Sequence, residues 1–326
     1  MNQTSHGFNI PTTIHQYNVI DVIGTGGFAV VVQAFDTKKK RNVAIKIISR
    51  DHAQQYDFLW YLERELRLCT RFKHPNIAQV YEILYEPEYI MIVMEYIRGG
   101  DLHQIANNTF NFSSRIKLQI AEGILKALQY LHSRGICHRD LKLDNILIDE
   151  NYNPKLIDFG LSREDCNSLQ TICGTANYMA PEMVTHSDTY DGKKADIWSF
   201  GILFFALMNG KYPWNDDCST SKLYKGMIEG TIKINIPQVG VIGNILKHSL
   251  TINPNERYSS EQLLELFSCM KEKRELNPTK TEMRKMTRVS FPHLCIRPVR
   301  AEKQDPVAKT RIVKNVGIIS LRRRSI

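Results

Sequence analysis

Apolar positions recur with a period of two in the first third of the chain. Tyr17-Asn18-Val19-Ile20 and Val30-Val31-Val32-Gln33-Ala34-Phe35 flank a glycine turn, Gly24-Thr25-Gly26-Gly27-Phe28-Ala29. This predicts strand, turn, strand: a hairpin with its glycines at the bend. Val43-Ala44-Ile45-Lys46-Ile47-Ile48 predicts another strand, and Lys38-Lys39-Lys40-Arg41 a solvated hairpin tip before it. Ile77 to Glu82 and Tyr89 to Met94 predict two more. Between these, Leu59, Leu62, Leu66 and Cys69 repeat at helical spacing over 58–72. Further on the period lengthens. Ile116, Ile120, Ile124, Leu128 and Leu131 predict a long helix that starts at Ser113 or Ser114 and stops at Ser133-Arg134-Gly135. Asp196 to Met208 predicts a very apolar helix, and Ser260 to Met270 a last one. Strands come first and helices follow, so the chain reads as α+β: a small strand-built lobe and a larger helical one.

Composition adds limits. With 326 residues, 43% hydrophobic and 24% charged, the chain has room for one large domain or two lobes around a cleft. The longest apolar run, Gly201 to Met208, is too short to span a bilayer. Met1 to His6 lacks the basic and apolar regions of a signal peptide, and no glycine follows the initiator to invite a myristoyl group. Seven cysteines without a Cys-x-x-Cys pair point to reduced thiols and no structural zinc. The expected location is the cytoplasm, with the nucleus accessible. The net charge of +9 is uneven: 271–326 holds 16 Lys and Arg against 5 Asp and Glu, which leaves the rest slightly acidic at −2. The basic character therefore belongs to a tail and says nothing of the main domain's substrate. The expected organisation is a flexible extension over 1–16, a domain over 17–270 and a basic, disordered tail over 271–326.

Chemistry concentrates in a few stretches. The glycine turn lets backbone N–H groups approach phosphate oxygens without a Cβ in the way. A dinucleotide-binding reading needs a helix after the glycines, and β-branched residues follow instead. Lys46 stands among apolar neighbours, where an unpartnered ammonium costs several kcal/mol. Glu63 and Glu65 are the acidic candidates on the following helix. His138-Arg139-Asp140-Leu141-Lys142-Leu143-Asp144-Asn145 gathers a base, a cation and an oxygen ligand, and Asp158-Phe159-Gly160 comes after it.

In this order the set resembles the eukaryotic protein kinases, over about Tyr17 to Cys269. The resemblance implies their two-lobed fold, split as 17–94, a hinge at 95–101 and 102–270. It implies ATP and Mg²⁺ as well. ATP would lie under Ile23, Gly24, Thr25, Gly26, Gly27, Phe28 and Ala29; Ala29 stands where a third glycine is usual. Val31 and Ala44 would cover the adenine from above and Leu147 from below. Glu95 and Ile97 would meet its edge through backbone groups, with Met94 guarding the back. Asp101 would touch the ribose or a basic substrate side chain; it also reads as a helix N-cap. Counting back from His74-Pro75-Asn76 selects Glu65 as the ion-pair partner of Lys46, which holds the α- and β-phosphates. Asp140 would be the base, Lys142 a point charge at the γ-phosphate, and Asn145 and Asp158 the metal ligands, because hard oxygens suit Mg²⁺. His138 reads as a packing residue and not the base.

The catalytic stretch resembles the serine/threonine type, as does Gly174-Thr175-Ala176-Asn177-Tyr178-Met179-Ala180-Pro181-Glu182. Thr175 would contact Asp140 and Lys142 beside the acceptor hydroxyl. Thr171 matches an activating phosphosite, with Arg139 and Arg163 as its phosphate pocket, and implies an upstream kinase. Asp196 would hold the catalytic-loop backbone, and Arg257 would pair with Glu182. The nearest group by resemblance is the calcium/calmodulin-dependent and AMP-activated kinases. Arg322-Arg323-Arg324-Ser325 resembles a substrate of arginine-preferring kinases, and Asp101 and Asp144 stand where relatives recognise such arginines. The tail is also a candidate for anionic lipid or nucleic acid. The alternative reading is a pseudokinase, a binding module on the same fold. The joint presence of Lys46, Glu65, Asp140, Asn145 and Asp158 weighs against it. A small-molecule phosphotransferase is disfavoured by Ala180-Pro181-Glu182.

Overall fold

The computed structural model describes residues 3–5, 8–25, 29–51, 66, 68–107, 112–185, 189–214 and 219–276, with backbone alone for 3–5, 8–9, 107 and 270–276. Strands β1 (Gln3–Ser5) and β2 (Phe8–Ile10) pair antiparallel ahead of the main sheet. That sheet contains β3 (Thr13–Ile14), β4 (Tyr17–Thr25), β5 (Ala29–Asp36), β6 (Arg41–Ser49), β7 (Val80–Tyr85) and β8 (Tyr89–Glu95). Its order is β3-β4-β5-β6-β8-β7, antiparallel throughout.

Period two sorts its faces. Val30, Val32 and Ala34 of β5 are buried with Val43, Ile45, Ile47, Met91 and Val93 in one core. The intervening residues face the other way. Val31 stands opposite Lys46, Lys46 opposite Ile92, and Ala44 opposite Met94. Directly paired residues share a face, so Val31, Ala44, Lys46 and Met94 lie on one side of the sheet.

The extension expected over 1–16 is corrected in its second half. Ile10 and Ile14 are buried in the sheet's core, and β3 pairs with β4. Gln16 Nε2 and the Tyr17 hydroxyl both donate to Glu82 Oε1 across the lobe. The strand expected at Ile77 also moves, because β7 starts at Val80. Ile77 instead bridges Leu156, and Asn76 Nδ2 donates to Pro154 O at 3.0 Å, so this segment ties the small lobe to the large one.

The large lobe begins with α1 (Leu102–Asn107) and α2 (Ser114–His132). Ser113 caps α2 by accepting from the Ile116 amide, and Gly135 (φ 71) closes it in the left-handed region that favours glycine. Short strands β9 (Ile136–Cys137), β10 (Ile146–Ile148), β11 (Pro154–Leu156) and β12 (Arg163–Glu164) follow, paired β9 with β12 and β10 with β11. Then come α3 (Pro181–Val184), α4 (Gly192–Asn209), α5 (Thr220–Ile228), α6 (Gly240–Ser249) and α7 (Ser260–Leu276).

Helix α4 starts earlier than its apolar run suggests. Asp191 caps it by accepting from the Lys193 amide. It is apolar on every side because it is the centre of this lobe: Trp198, Phe200, Ile202, Leu203 and Phe204 are fully buried. Helix α7 continues past Met270, the expected end of the domain, to Leu276. The tail residues 277–326, with Ser325 and its arginines, lie outside the described residues. Among the described residues no helix is long and apolar enough to cross a membrane.

Candidate active site

The site forms where β6, the stretch after β9 and the turn after β11 meet. The turn after β9 is held from below by one carboxylate. Asp196 of α4 is 1% exposed; its Oδ2 accepts the His138 amide at 2.8 Å and His132 Nε2 at 2.9 Å, and its Oδ1 accepts the Arg139 amide at 2.8 Å. A buried carboxylate is tolerated because three donors surround it. These bonds hold Arg139 at φ 70, a left-handed backbone uncommon for a long side chain. His138 is fully buried, with Nε2 at 3.2 Å from Ile157 O and Nδ1 accepting from the Asp140 amide at 3.3 Å. It is a packing residue, as expected.

Around Asp140 three donors converge. Thr175 Oγ1 donates to Oδ1 at 2.8 Å, while Lys142 Nζ and Asn145 Nδ2 each lie 3.1 Å from Oδ2. Lys142 Nζ also donates to Thr175 Oγ1 at 3.1 Å. An ionised carboxylate offers about four acceptor positions; three are filled, which leaves room for one incoming donor. Asn145 Nδ2 donates to Asp140 O at 2.8 Å as well. With its amide nitrogen committed twice to Asp140, Asn145 has its orientation fixed.

Asp158 follows, also left-handed (φ 62), with its side chain 49% exposed. Lys46 Nζ lies 3.7 Å from its Oδ1 and bridges the two lobes. The Lys46 ammonium holds the Asp158 carboxyl below the ordinary carboxylate range; burial opposes this and the Gly160 amide assists. Phe159 turns inward, 4% exposed, with its ring 4.7 Å from Phe72 and 5.2 Å from His138. That burial anchors Asp158 in the cleft. The Asp158 carboxylate and the Asn145 amide oxygen are hard donors of the kind that could hold a cation such as Mg²⁺. Among the described residues no group of three or more His, Cys, Asp or Glu is arranged for a metal.

This arrangement decides the family. A model of the protein kinase domain matches residues 17–286. The chain belongs to the protein kinase family. It is 35% identical to CBL-interacting serine/threonine-protein kinase 15 of Arabidopsis thaliana over 256 residues, which covers 76% of this chain and 60% of that protein. To CBL-interacting protein kinase 9 of Oryza sativa subsp. japonica it is 36% identical over 262 residues, 78% of this chain and 56% of the other. The chain thus spans little more than half the length of the curated relatives it matches.

In this kinase domain the remaining expected residues fall as follows. Gly24, Thr25, Ala29 and Val31 flank the hairpin bend, with Gly24 opposite Val31, and Ile23 is 45% exposed beside them. Gly26, Gly27 and Phe28 lie outside the described residues, as do Glu63 and Glu65, and with Glu65 the ion pair expected of Lys46. Leu147 sits half-buried on β10 and is bridged to Asp101. Asp101 accepts the Gln104 amide at 2.7 Å, so it caps α1. The Glu95 amide is not turned to the cleft: it donates to Gln79 O at 2.8 Å. Ile97 remains half-buried at the hinge. Asp144 is 53% exposed, with His103 Nδ1 at 3.3 Å. Arg163 lies on β12 opposite Cys137.

Arg139 meets Thr171, but through the backbone. Its Nη2 donates to Thr171 O at 2.6 Å, and the Tyr190 hydroxyl donates to the same oxygen at 2.9 Å. Arg139 Nε is buried without a partner.

Sequence reasoning missed two positioning groups. His132, the second anchor of Asp196, looks like an ordinary last-turn helix residue. Lys155 Nζ lies 2.6 Å from Glu95 Oε1 and ties β11 to the hinge; a lone lysine in a short apolar strand gives no hint of a partner sixty residues away.

Gly174 has φ +110, and a Cβ there would stand 2.6 Å from Arg139 O. Both strain and contact oppose any side chain. Gly174→Ala is therefore expected to cost about 2 kcal/mol and to lower the thermal midpoint by roughly 5 °C. An unchanged midpoint in a melting curve would mean the segment yields freely.

Proposed function

We propose that this chain is a serine/threonine protein kinase that transfers the γ-phosphoryl group of ATP, with Mg²⁺, to serine and threonine hydroxyls of proteins. The observation that carries the reading is the Asp140 carboxylate. Thr175, Lys142 and Asn145 hold it rigidly, and one acceptor position is left for a hydroxyl. Asp140 orients that hydroxyl and takes its proton late, because phosphoryl transfer needs positioning and charge cancellation more than covalent help. Lys142 places a positive charge beside the same spot. Lys46 binds the α- and β-phosphates, and Glu65 partners it. Asn145 and Asp158 hold the metal, which when bound cancels charge on the phosphate oxygens.

Val31 and Ala44 on one face of the sheet, and Leu147 on the other lobe, enclose the adenine. Ile97 offers it backbone groups at the hinge, together with the carbonyl side of Glu95. Its similarity to CBL-interacting serine/threonine-protein kinases of Arabidopsis thaliana supports the acceptor class. Within the family we assign the chain to the calcium/calmodulin-dependent and AMP-activated group, on its hinge glycines and its segment 171–182. The catalytic unit runs from Ile10 through α7, with the tail beyond it.

The test is a mixed library of Ser, Thr and Tyr peptides incubated with the chain and Mg·ATP. Phosphate on Ser and Thr alone supports the reading, and phosphate on Tyr contradicts it.

Thr171 is the proposed activating site. Its neighbour Arg139 carries an unused buried N–H, and a phosphate adds about −1.5 to −2 charge with strong acceptors. After treatment with an activating kinase, Thr171→Ala should be slower than the parent on the order of tenfold, since a hydrogen bond to a charged group is worth about 1.5–3 kcal/mol. Equal rates, with Thr171 phosphate verified by mass spectrometry in the parent, would remove Thr171 from the account.

A further inference from the structure

The turn into α4 grips the segment that carries Thr171 at three successive points. The Gly192 amide donates to Cys166 O at 2.7 Å. Leu169 and Tyr190 form an isolated antiparallel bridge, each amide donating to the other's carbonyl at 2.9 Å. The Tyr190 hydroxyl donates to Thr171 O at 2.9 Å. Leu169 and Tyr190 are both 6% exposed. Burial holds the Tyr190 hydroxyl above the ordinary tyrosine range, so it stays protonated and remains a donor.

The same helix holds the catalytic loop. Asp196 of α4 accepts the His138 and Arg139 amides, and Arg139 in turn donates from Nη2 to Thr171 O at 2.6 Å. Thr171 O is thus fixed from two sides, by Arg139 and by Tyr190. Four residues on, Thr175 donates to Asp140 Oδ1 at 2.8 Å. The seat of Thr171 O therefore governs whether Thr175 reaches Asp140. Both contacts use the Thr171 carbonyl and leave its hydroxyl aside. Docking of this segment needs no phosphate.

We propose that Tyr190 is a positioning residue for phosphoryl transfer: its hydroxyl docks the segment 166–175 on α4 before Thr171 is phosphorylated, and so sustains a basal rate. This rests on the transfer activity and the Thr171 switch proposed above, which also set the size of the effect. If phosphate speeds the chain about tenfold by completing the docking, about one tenth of the unphosphorylated molecules are docked at any moment. A net hydrogen bond shifts such an equilibrium by roughly fivefold. So far from saturation, the rate falls in proportion. Once a phosphate held by Arg139 saturates the docking, the same loss changes the docked population little.

The experiment compares initial rates on a serine peptide with Mg·ATP in two states of the full chain. Thr171→Ala supplies the state without phosphate. The parent treated with an activating kinase, its Thr171 phosphate verified by mass spectrometry, supplies the other. Tyr190→Phe removes one oxygen and keeps the buried ring. Added to each state, it should slow the first roughly fivefold and the second by less than about twofold. Equal rates with and without the hydroxyl in the Thr171→Ala state would overturn the proposal. So would an equal loss in both states, which marks a purely structural role. No transfer by Thr171→Ala, beside an active phosphorylated parent, would overturn it and leave the kinase reading standing. No transfer by the phosphorylated parent would overturn both.

Discussion

Asp140→Asn is expected to lower the turnover of the phosphorylated chain by about 10³-fold, within the 10²- to 10⁴-fold range of general-base groups, and to leave the KM for ATP nearly unchanged. Three donors at Asp140 set the size of this effect. Thr175 Oγ1, Lys142 Nζ and Asn145 Nδ2 all need an acceptor there. Asparagine keeps the size but replaces one oxygen by an NH₂ group. It therefore loses the basic site and also faces one donor with another. Lys46 and Asp158, which we propose act on the nucleotide and its metal, are untouched. Steady-state kinetics with saturating peptide checks both halves of the claim. A loss of only a few-fold would mean that Asp140 orients the hydroxyl without accepting its proton.

The second large effect concerns stability. Arg257→Ala should lower the thermal midpoint by about 10 °C, because removing one partner of a buried pair costs about 3–5 kcal/mol. Arg257 is buried, and all its N–H groups are used. Nη1 and Nη2 reach Glu182 at 2.6 and 2.9 Å, and the others reach Lys194 O, Ile252 O and Thr251 O at 2.7, 3.2 and 2.9 Å. Truncation removes two donors from the Glu182 carboxylate and one from each of three carbonyls inside the large lobe. Arg257→Lys is expected to recover only part, since one ammonium cannot replace a two-pronged contact. A midpoint within about 2 °C of the parent, by calorimetry, would show that water or a local shift compensates.

The Glu182–Arg257 pair was readable in the sequence because two motifs of the family supply its ends. The same is true of Asp196, which does hold the catalytic-loop backbone, and of Thr175 at Asp140. Periodicity placed the strands at Ala29–Asp36 and Arg41–Ser49 and the helix at Ser114–His132 nearly to their ends, because one face of each is buried and the other is not. It failed where tertiary contacts override local signals. Ile10 and Ile14 sit among polar residues and give no period, yet the sheet's open edge takes them in. Ile77 looks like a strand but is drawn away to Leu156. Helix α4 has no polar face to mark its start, so only the cap at Asp191 shows it. A contact between separated residues, such as Lys155 with Glu95, has no linear signature at all.

Whether the cleft transfers phosphate is best decided at Asp158. Its carboxylate is held ionised by Lys46, half-exposed in the cleft and anchored by the buried ring of Phe159. Purified chain and Asp158→Ala, both first treated with an activating kinase that is then removed, are given radiolabelled Mg·ATP and a serine peptide, and label on the peptide is counted. Steady transfer by the parent is expected, with a loss of about 10³-fold or more in the variant, whose thermal midpoint stays close to the parent's. Equal transfer by both, or none by the parent, would contradict it; the second result would favour a binding module on the kinase fold.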